Sequence, residues 1–371
     1  MFISAFVLAA SLTMLVPSFE PTAAADQIRP GEVWTDTAGE VINAHGGGFL
    51  LHEGVYYWYG EHKAEHGRAE VGIRVYTSTD LINWTNAGVA LPVSDDPMSE
   101  IVHGAVMERP KVLYNERTGK FVMWFHLELK GHKYNAARTA CAIADSPTGP
   151  FEYLGSTRPN AGRFPVDADE AFKARIVAKD DSVEPGADKP TRADSYFVRD
   201  FYGGQMARDM TLFLDDDGTA YHIFAAEENY TLHVAELDET FTRHTGRYKR
   251  ILVGGHREAP AVFKRDGLYH LITSGCTGWD PNAAQHATAK SIWGPWEVTG
   301  NPCIGEGRDK TFRSQSTYVL PVGKKDDAFI FMADRWKRHN LADSRYIWLP
   351  IRFEGDRAVI EWADTWSLAD W

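Results

Sequence analysis

One unit, written five times along the chain, constrains the fold more than any other feature of this sequence. Each copy has a polar residue at its head, then an apolar strand, a tight turn, and an aromatic-rich strand. His45 leads Gly46 to Leu51, the turn Glu53-Gly54 and the strand Val55 to Tyr59. Glu108 leads Arg109 to Tyr114, a turn at Thr118-Gly119 and Phe121 to Phe125. Asp209 leads Met210 to Leu214, the turn Asp217-Gly218 and Thr219 to Phe224. Glu258 leads Ala259 to Phe263, the turn Asp266-Gly267 and Leu268 to Ile272. Gln315 leads Ser316 to Leu320, a looser turn near Asp326-Asp327 and Ala328 to Met332. Further short strands follow each hairpin, for example Gly72 to Tyr76, Thr139 to Ala144 and Leu232 to Leu237. Four short strands repeated five times predict an all-β chain folded as a five-bladed β-propeller. A β-sandwich would explain the strands but not the five-fold register.

In a propeller the innermost strand of each blade lines the central channel. The five heads, His45, Glu108, Asp209, Glu258 and Gln315, therefore converge at one mouth. Any one of them alone reads as a strut between blades. Three carboxylates at one repeat phase are costly unless solvated or used, because like charges raise one another's pKa.

The remaining features narrow the chemistry. A net charge of −12 makes nucleic acid and anionic membranes poor partners. The 12 Trp and 15 Tyr suit a chain that stacks on sugar rings, although for most of them the propeller core is the default place. No Cys/His spacing resembles a zinc site and no Gly-rich phosphate loop is present, so no cofactor is expected and no metal ligand set can be named, with a divalent ion in the channel near His45 left open. Cys276 and Cys303 either pair or remain buried thiols, beside Cys141. Residues 1–25 read as a secretory signal, apolar from Met1 to Val16 and ending in Ala23-Ala24-Ala25 before Asp26, although the first cation is only Arg29. That run is short for a membrane span, and the expected location is periplasmic or extracellular. The rest, 26–371, is expected to form one propeller domain.

At the repeat heads the chain resembles glycoside hydrolase family 43, in the branch containing exo-β-1,3-galactanases. The matching segments are Ile42 to Gly48, Glu108 to Val112, Arg208-Asp209-Met210 with Asp215 to Gly218, Glu258 to Ala261, Thr277 to Asn282, Ser314 to Thr317 and Tyr346 to Pro350. In this order they span about residues 30 to 370. The resemblance implies a propeller that hydrolyses glycosidic bonds with inversion, with an oligo- or polysaccharide as its partner. Glu258 matches the general acid and Asp209 the carboxylate that tunes and orients it. Where the family usually places an Asp base, this chain reads Ala44-His45, and Gln315 with Glu108 are the residues implicated instead. Inversion needs a water held opposite the leaving group, with roughly 6.5–9.5 Å between carboxyl groups. An amide is a very weak base, so Gln315 is expected to position water and Glu108 to bind substrate or share a proton. His45, Trp279, Glu227, Glu228, Arg335 and Trp336 are the expected sugar contacts.

The heads are spaced by 63, 101, 49 and 57 residues, and the long gap holds an insertion at about 159–205. A loop of that length is unusual unless it has a function. It is expected to wall the cleft and favour exo action. The terminal sugar stays open at this point: galactose first, with arabinofuranose, xylose or galactofuranose as alternatives. A propeller that binds carbohydrate without cleaving it is the more distant reading.

Overall fold

The computed structural model describes residues 27–183, 186–322 and 328–370. The expected leader at 1–25 and the turn at Asp326-Asp327 lie outside the described residues. The fold is the five-bladed propeller. Blade one comprises His45–His52, Val55–Lys63, Ala69–Ser78 and Thr85–Pro92. Blade two comprises Val106–Asn115, Lys120–Glu128, Arg138–Ala144 and Glu152–Thr157. Blade three runs through Met210–Leu214, Ala220–Ala226, Thr231–Leu237 and His244–Ile251. Blade four runs through Arg257–Arg265, Leu268–Gly275, Gln285–Ala289 and Glu297–Gly300. Blade five has Gln315–Pro321, Phe329–Arg335, Arg345–Glu354 and Arg357–Glu361, plus Cys303–Ile304 added in parallel at its outer edge.

Strand alternation explains why the second strand of each blade is buried along most of its length and rich in apolar residues. Both of its faces meet a neighbouring blade, so the polar residues it does carry must find partners there. Phe121, Met123 and Phe125 face blade one, whereas Val122 and Trp124 face blade three. Tyr221, Ile223 and Ala225 face blade four, and Ala220, Phe224 and Ala226 face blade two. Phe329, Phe331 and Ala333 face blade four, while Ile330 and Met332 face blade one. The core is thus divided into five clusters, one at each blade junction.

The seam between blades five and one must hold without a continuous chain, and it carries the densest aromatic packing. Trp58, Trp84 and Trp348 are almost fully buried there, with Trp34 and Phe49 against them and ring centroids of Trp348 at 4.7 to 6.0 Å from its neighbours. Tyr346 pins the two blades, its hydroxyl donating to the Ile42 carbonyl at 3.0 Å and accepting from the Ala44 amide at 2.9 Å. Outside this cluster Gln27–Ile28 pairs with Trp366–Ser367.

The 159–205 segment holds two helices, α1 (Glu170–Val177) and α2 (Lys189–Asp200). Asp169 and Asp188 cap them by accepting from the amides of Phe172 and Thr191, and Pro190 sits in the first turn of α2. Ile176, Phe197 and Val198 are buried in the junction between blades two and three. Cys141, Cys276 and Cys303 are all free thiols. Among the described residues no helix is long and apolar enough to cross a membrane.

Candidate active site

The five heads stand at or beside the start of the five inner strands, and a local distortion turns three of them. The residue after the head is left-handed in blades one, two and four: Gly46 at φ 61°, Arg109 at 59° and Ala259 at 53°. The inner ladder slips at the same places, between His45 and Gly48, Glu108 and Lys111, and Glu258 and Ala261. Such bulges re-aim a side chain beside a functional site. For Arg109 and Ala259, which are not glycine, the conformation costs on the order of 1–2 kcal/mol each. Nearby partners take up backbone groups beside the bulges. The Arg109 amide donates to Glu61 Oε1 at 3.2 Å, the Gly46 amide to Asp334 Oδ2 at 2.6 Å, and the Ala259 carbonyl accepts from Ser316 Oγ at 2.7 Å.

A cavity of about 360 Å³ opens over these heads. Glu258, Asp209, Glu108 and Gln315 all line it, together with Trp279 and Trp336. Burial, and then the Asp209 charge, push the Glu258 carboxyl up to about 8, against the pull of Arg109 and of hydrogen bonds from Cys276 and Gln315. A carboxyl that holds its proton at neutral pH is suited to general acid work. Glu258 Oε1 accepts from Gln315 Nε2 at 2.9 Å and Oε2 from Asn229 Nδ2 at 3.0 Å. Asp209 meets Arg109 Nη2 at 3.0 Å, and the same nitrogen donates to Gln315 Oε1 at 2.5 Å.

Glu108 lives in the opposite electrostatic setting. Burial alone would raise its pKa, but Lys63 and His126 hold the carboxyl well below the usual range. Lys63 Nζ donates to Glu108 Oε1 at 3.0 Å, Tyr134 donates to the same oxygen at 3.0 Å, and His126 Nδ1 lies 3.4 Å from Oε2. Lys63 also pairs closely with Glu61, whose own pKa is raised by burial and by the Glu108 charge against the pull of Lys63. Burial would lower the His126 pKa, but Glu108 and Glu128 raise it to about 9, so the ring is cationic at neutral pH. Glu108, His126 and Asp209 bring ligand atoms within 4.8 Å of one another, as a metal site would. Lys63 and Arg109 pair with two of the three, Glu108 and Asp209.

Gln315 is fully engaged. Its Oε1 accepts from Arg109 and from Trp336 Nε1 at 3.0 Å, and its Nε2 donates to Glu258 and to Ser274 Oγ at 3.0 Å. Two lone pairs and two protons are the amide's whole capacity. A water or sugar hydroxyl held by Gln315 must therefore displace one of these partners.

Three expected sugar contacts, His45, Glu227 and Arg335, do not line the catalytic cavity. His45 is fully buried, with Nδ1 donating to Asp334 at 3.2 Å and its ring stacked on Tyr346 at 5.0 Å, so it braces the seam. Glu227 is fully buried between Arg250, which donates twice at 2.8 Å, and His233 at 2.8 Å. Its neighbour Glu228 lines the cavity instead. Glu227, Glu228 and Asn229 are consecutively left-handed at φ 55°, 54° and 63°, which breaks strand alternation and swaps which residue points inward. Arg335 lines an adjoining cavity. The insertion does not form the wall: among the described residues of 159–205 none lines the catalytic cavity, because the apolar sides of the helices are drawn into the blade junction. It braces the wall from behind, through Arg199 of α2, which meets Glu228 at 3.1 Å.

Glu61, Arg109, His126, Tyr134 and Asn229 also line the site and were not among the expected residues. Only Glu61 and Arg109 left a trace in the sequence. Glu61 stands opposite the head His45 in the blade-one ladder, and Arg109 follows the head Glu108.

The chain is similar to several known proteins. The profile of "Glycosyl hydrolases family 43" matches residues 192–336. A solved family 43 β-1,3-galactosidase with galactodeoxynojirimycin is 51% identical over 92% of this chain and 100% of that one, with a TM-score of 0.87. An exo-β-1,3-galactanase from Clostridium thermocellum is 36% identical over 92% of this chain and 66% of that one, with a TM-score of 0.75. Among curated proteins, a β-D-galactofuranosidase of Aspergillus niger is 33% identical over 152 residues, 39% of this chain and 42% of that protein. The chain spans less than half the length of the curated relatives it matches. With a relative of 51% identity matched over its entire length, the chain belongs to glycoside hydrolase family 43.

Proposed function

We propose that this glycoside hydrolase is an exported, exo-acting enzyme that removes terminal β-1,3-linked galactosyl units from a galactan with inversion. The observation that carries the reading is a raised carboxylic acid, Glu258, facing a site whose first blade supplies no carboxylate at its head. Glu258 delivers its proton to the glycosidic oxygen as the bond breaks. Asp209 keeps that proton in place by its charge and fixes Arg109. Gln315 aims the attacking water once a partner on its amide has been displaced. Glu108, ionised and tied to Lys63, binds sugar hydroxyls and accepts proton density late. Trp279 and Trp336, edge to face at 5.4 Å, offer an aromatic wall for the ring. The galactosyl preference is supported by the 51% identical β-1,3-galactosidase, and export by the apolar leader at residues 1–25.

The test is hydrolysis of methyl β-1,3-galactobioside, from which only the terminal unit is released with a free anomeric centre, followed by proton NMR before mutarotation. The first product should be α-galactose. Release of β-galactose would overturn the inverting mechanism. The match to a β-D-galactofuranosidase favours one second reading, a terminal galactofuranosyl substrate, and a panel of nitrophenyl glycosides separates the two.

A further inference from the structure

Beside the catalytic cavity lies a second one of about 300 Å³ that shares Trp279, Trp336, Gln315 and Gly278 with it. Its charge is unlike that of the chain around it. Arg313, Arg335 and Lys337 line it against one carboxylate, Asp280, in a protein whose net charge is −12. Lys337 is already paired with Asp343. The two guanidiniums are not: among the described residues no carboxylate lies within ion-pair distance of either. Arg335 donates from Nη2 to the Phe312 carbonyl at 2.8 Å, and its Nε is buried without a partner.

The surroundings hold this pair in place. Thr311, Phe312 and Arg313 are consecutively left-handed at φ 47°, 54° and 64°, a conformation non-glycine residues adopt only where neighbours enforce it. Thr311 Oγ1 donates to the Asn282 carbonyl and accepts from the Ala284 amide, both at 2.8 Å, and Phe312 is buried in the junction of blades four and five. The turn so fixed aims the Phe312 carbonyl at Arg335 and sets Arg313 on the cavity lining. On the other side Gly31 leaves room for the Arg335 guanidinium, since a Cβ there would stand 2.8 Å from Nη1. Burial, and then the like charge of Arg313, press the Arg335 pKa below its ordinary value. An anion between the two guanidiniums would relieve both penalties.

We propose that this second cavity is a subsite for the carboxylate of a uronic acid attached to the substrate next to the bond that is cleaved. The shared tryptophan wall makes it continuous with the catalytic cavity, so its ligand belongs to the same saccharide. Planar guanidiniums match a carboxylate by paired N–H donors. The proposal rests on the galactosidase reading above and gives it a preference for acidic, branched galactans over neutral ones.

The experiment compares a neutral β-1,3-galacto-oligosaccharide with the same oligosaccharide carrying one glucuronosyl branch. The wild type should show kcat/KM about tenfold higher on the acidic substrate, the gain lying in KM and fading with salt. In Arg313→Gln, an exposed change that spares the core, the acidic-to-neutral ratio should fall to about one. Calorimetry on Glu258→Gln with both oligosaccharides reads the subsite without turnover and should show the same preference. No preference in the wild type, or a ratio unchanged by Arg313→Gln, overturns the subsite. Stronger binding of a sulfated oligosaccharide than of the uronate overturns the carboxylate assignment. Failure to hydrolyse the neutral oligosaccharide would instead sink the galactosidase reading, and the calorimetric comparison would still decide the cavity.

Discussion

Replacing Asp209 with Asn separates the two jobs a carboxylate can do beside a general acid. In the wild type Glu258 is held up to about 8, first by burial and then by the Asp209 charge. A general acid must be protonated, so kcat/KM should fall as pH rises through that value. Asp209→Asn removes the negative charge and leaves Arg109, which lies 3.0 Å from Asp209 and pulls Glu258 downward, without its counter-charge. Both changes act in the same direction. Burial remains, so the acid should stay above an ordinary Glu while falling by roughly one to three units. A fall of about two units takes the protonated fraction at pH 7 from about nine-tenths to about one-tenth, a loss of about tenfold, with little loss near pH 5. The assay is kcat/KM for galactose release from β-1,3-galactobiose between about pH 4 and about pH 9. A basic limb that does not move, at measurable activity, refutes the tuning role. Equal loss at every pH would leave Asp209 only the orientation of Arg109.

Glu258→Gln should lose about 10²–10⁴-fold on natural substrate and far less on a glycoside with a good leaving group; equal losses on both would remove Glu258 as the acid. Gln315→Ala should abolish turnover with little rescue by azide, whereas Glu108→Ala should be the more damaging change, and yield an inverted glycosyl azide, only if Glu108 is the base. Trp348→Ala at the seam should cost about 3–5 kcal/mol in urea unfolding, and a cost below about 1 kcal/mol would mean the aromatic cluster does not hold the ring closed.

The propeller was legible because its signal is redundant. Five heads, five hairpins and second strands apolar on both faces repeat the same instruction. That the four residues expected to be catalytic share one cavity was legible for the same reason, since phase in the repeat places a residue at the channel mouth. Single positions were not. Glu227 and Glu228 differ by one residue, and three consecutive left-handed residues decide which points inward. No local pattern announces that turn, because none of the three is glycine. His45 holds the right phase but is claimed by Asp334 across the seam, a contact 289 residues away. The helices of the insertion had their signals, Asp169 and Asp188 as caps and Pro190 in a first turn, yet α1 is only eight residues long and its burial is set by blades two and three.

The base is where sequence and structure together say most about mechanism. An amide can act as a base if it passes through its imidic tautomer, with the proton on oxygen and a lone pair freed on nitrogen. Here Gln315 Oε1 is met by two groups that can only donate, the Arg109 guanidinium and the Trp336 indole N–H. A proton on that oxygen would oppose both. The guanidinium also draws electron density onto Oε1, which leaves the nitrogen a better donor and a poorer acceptor, as its two donated bonds to Glu258 and Ser274 require. These bonds favour an amide that orients water, once one partner has been displaced, over an amide that deprotonates it. Under the mechanism proposed above, proton loss from the water comes late, when the sugar already carries positive charge and the water oxygen has become strongly acidic. A site of this kind needs no carboxylate at the first-blade head, and His45 is free to serve the seam.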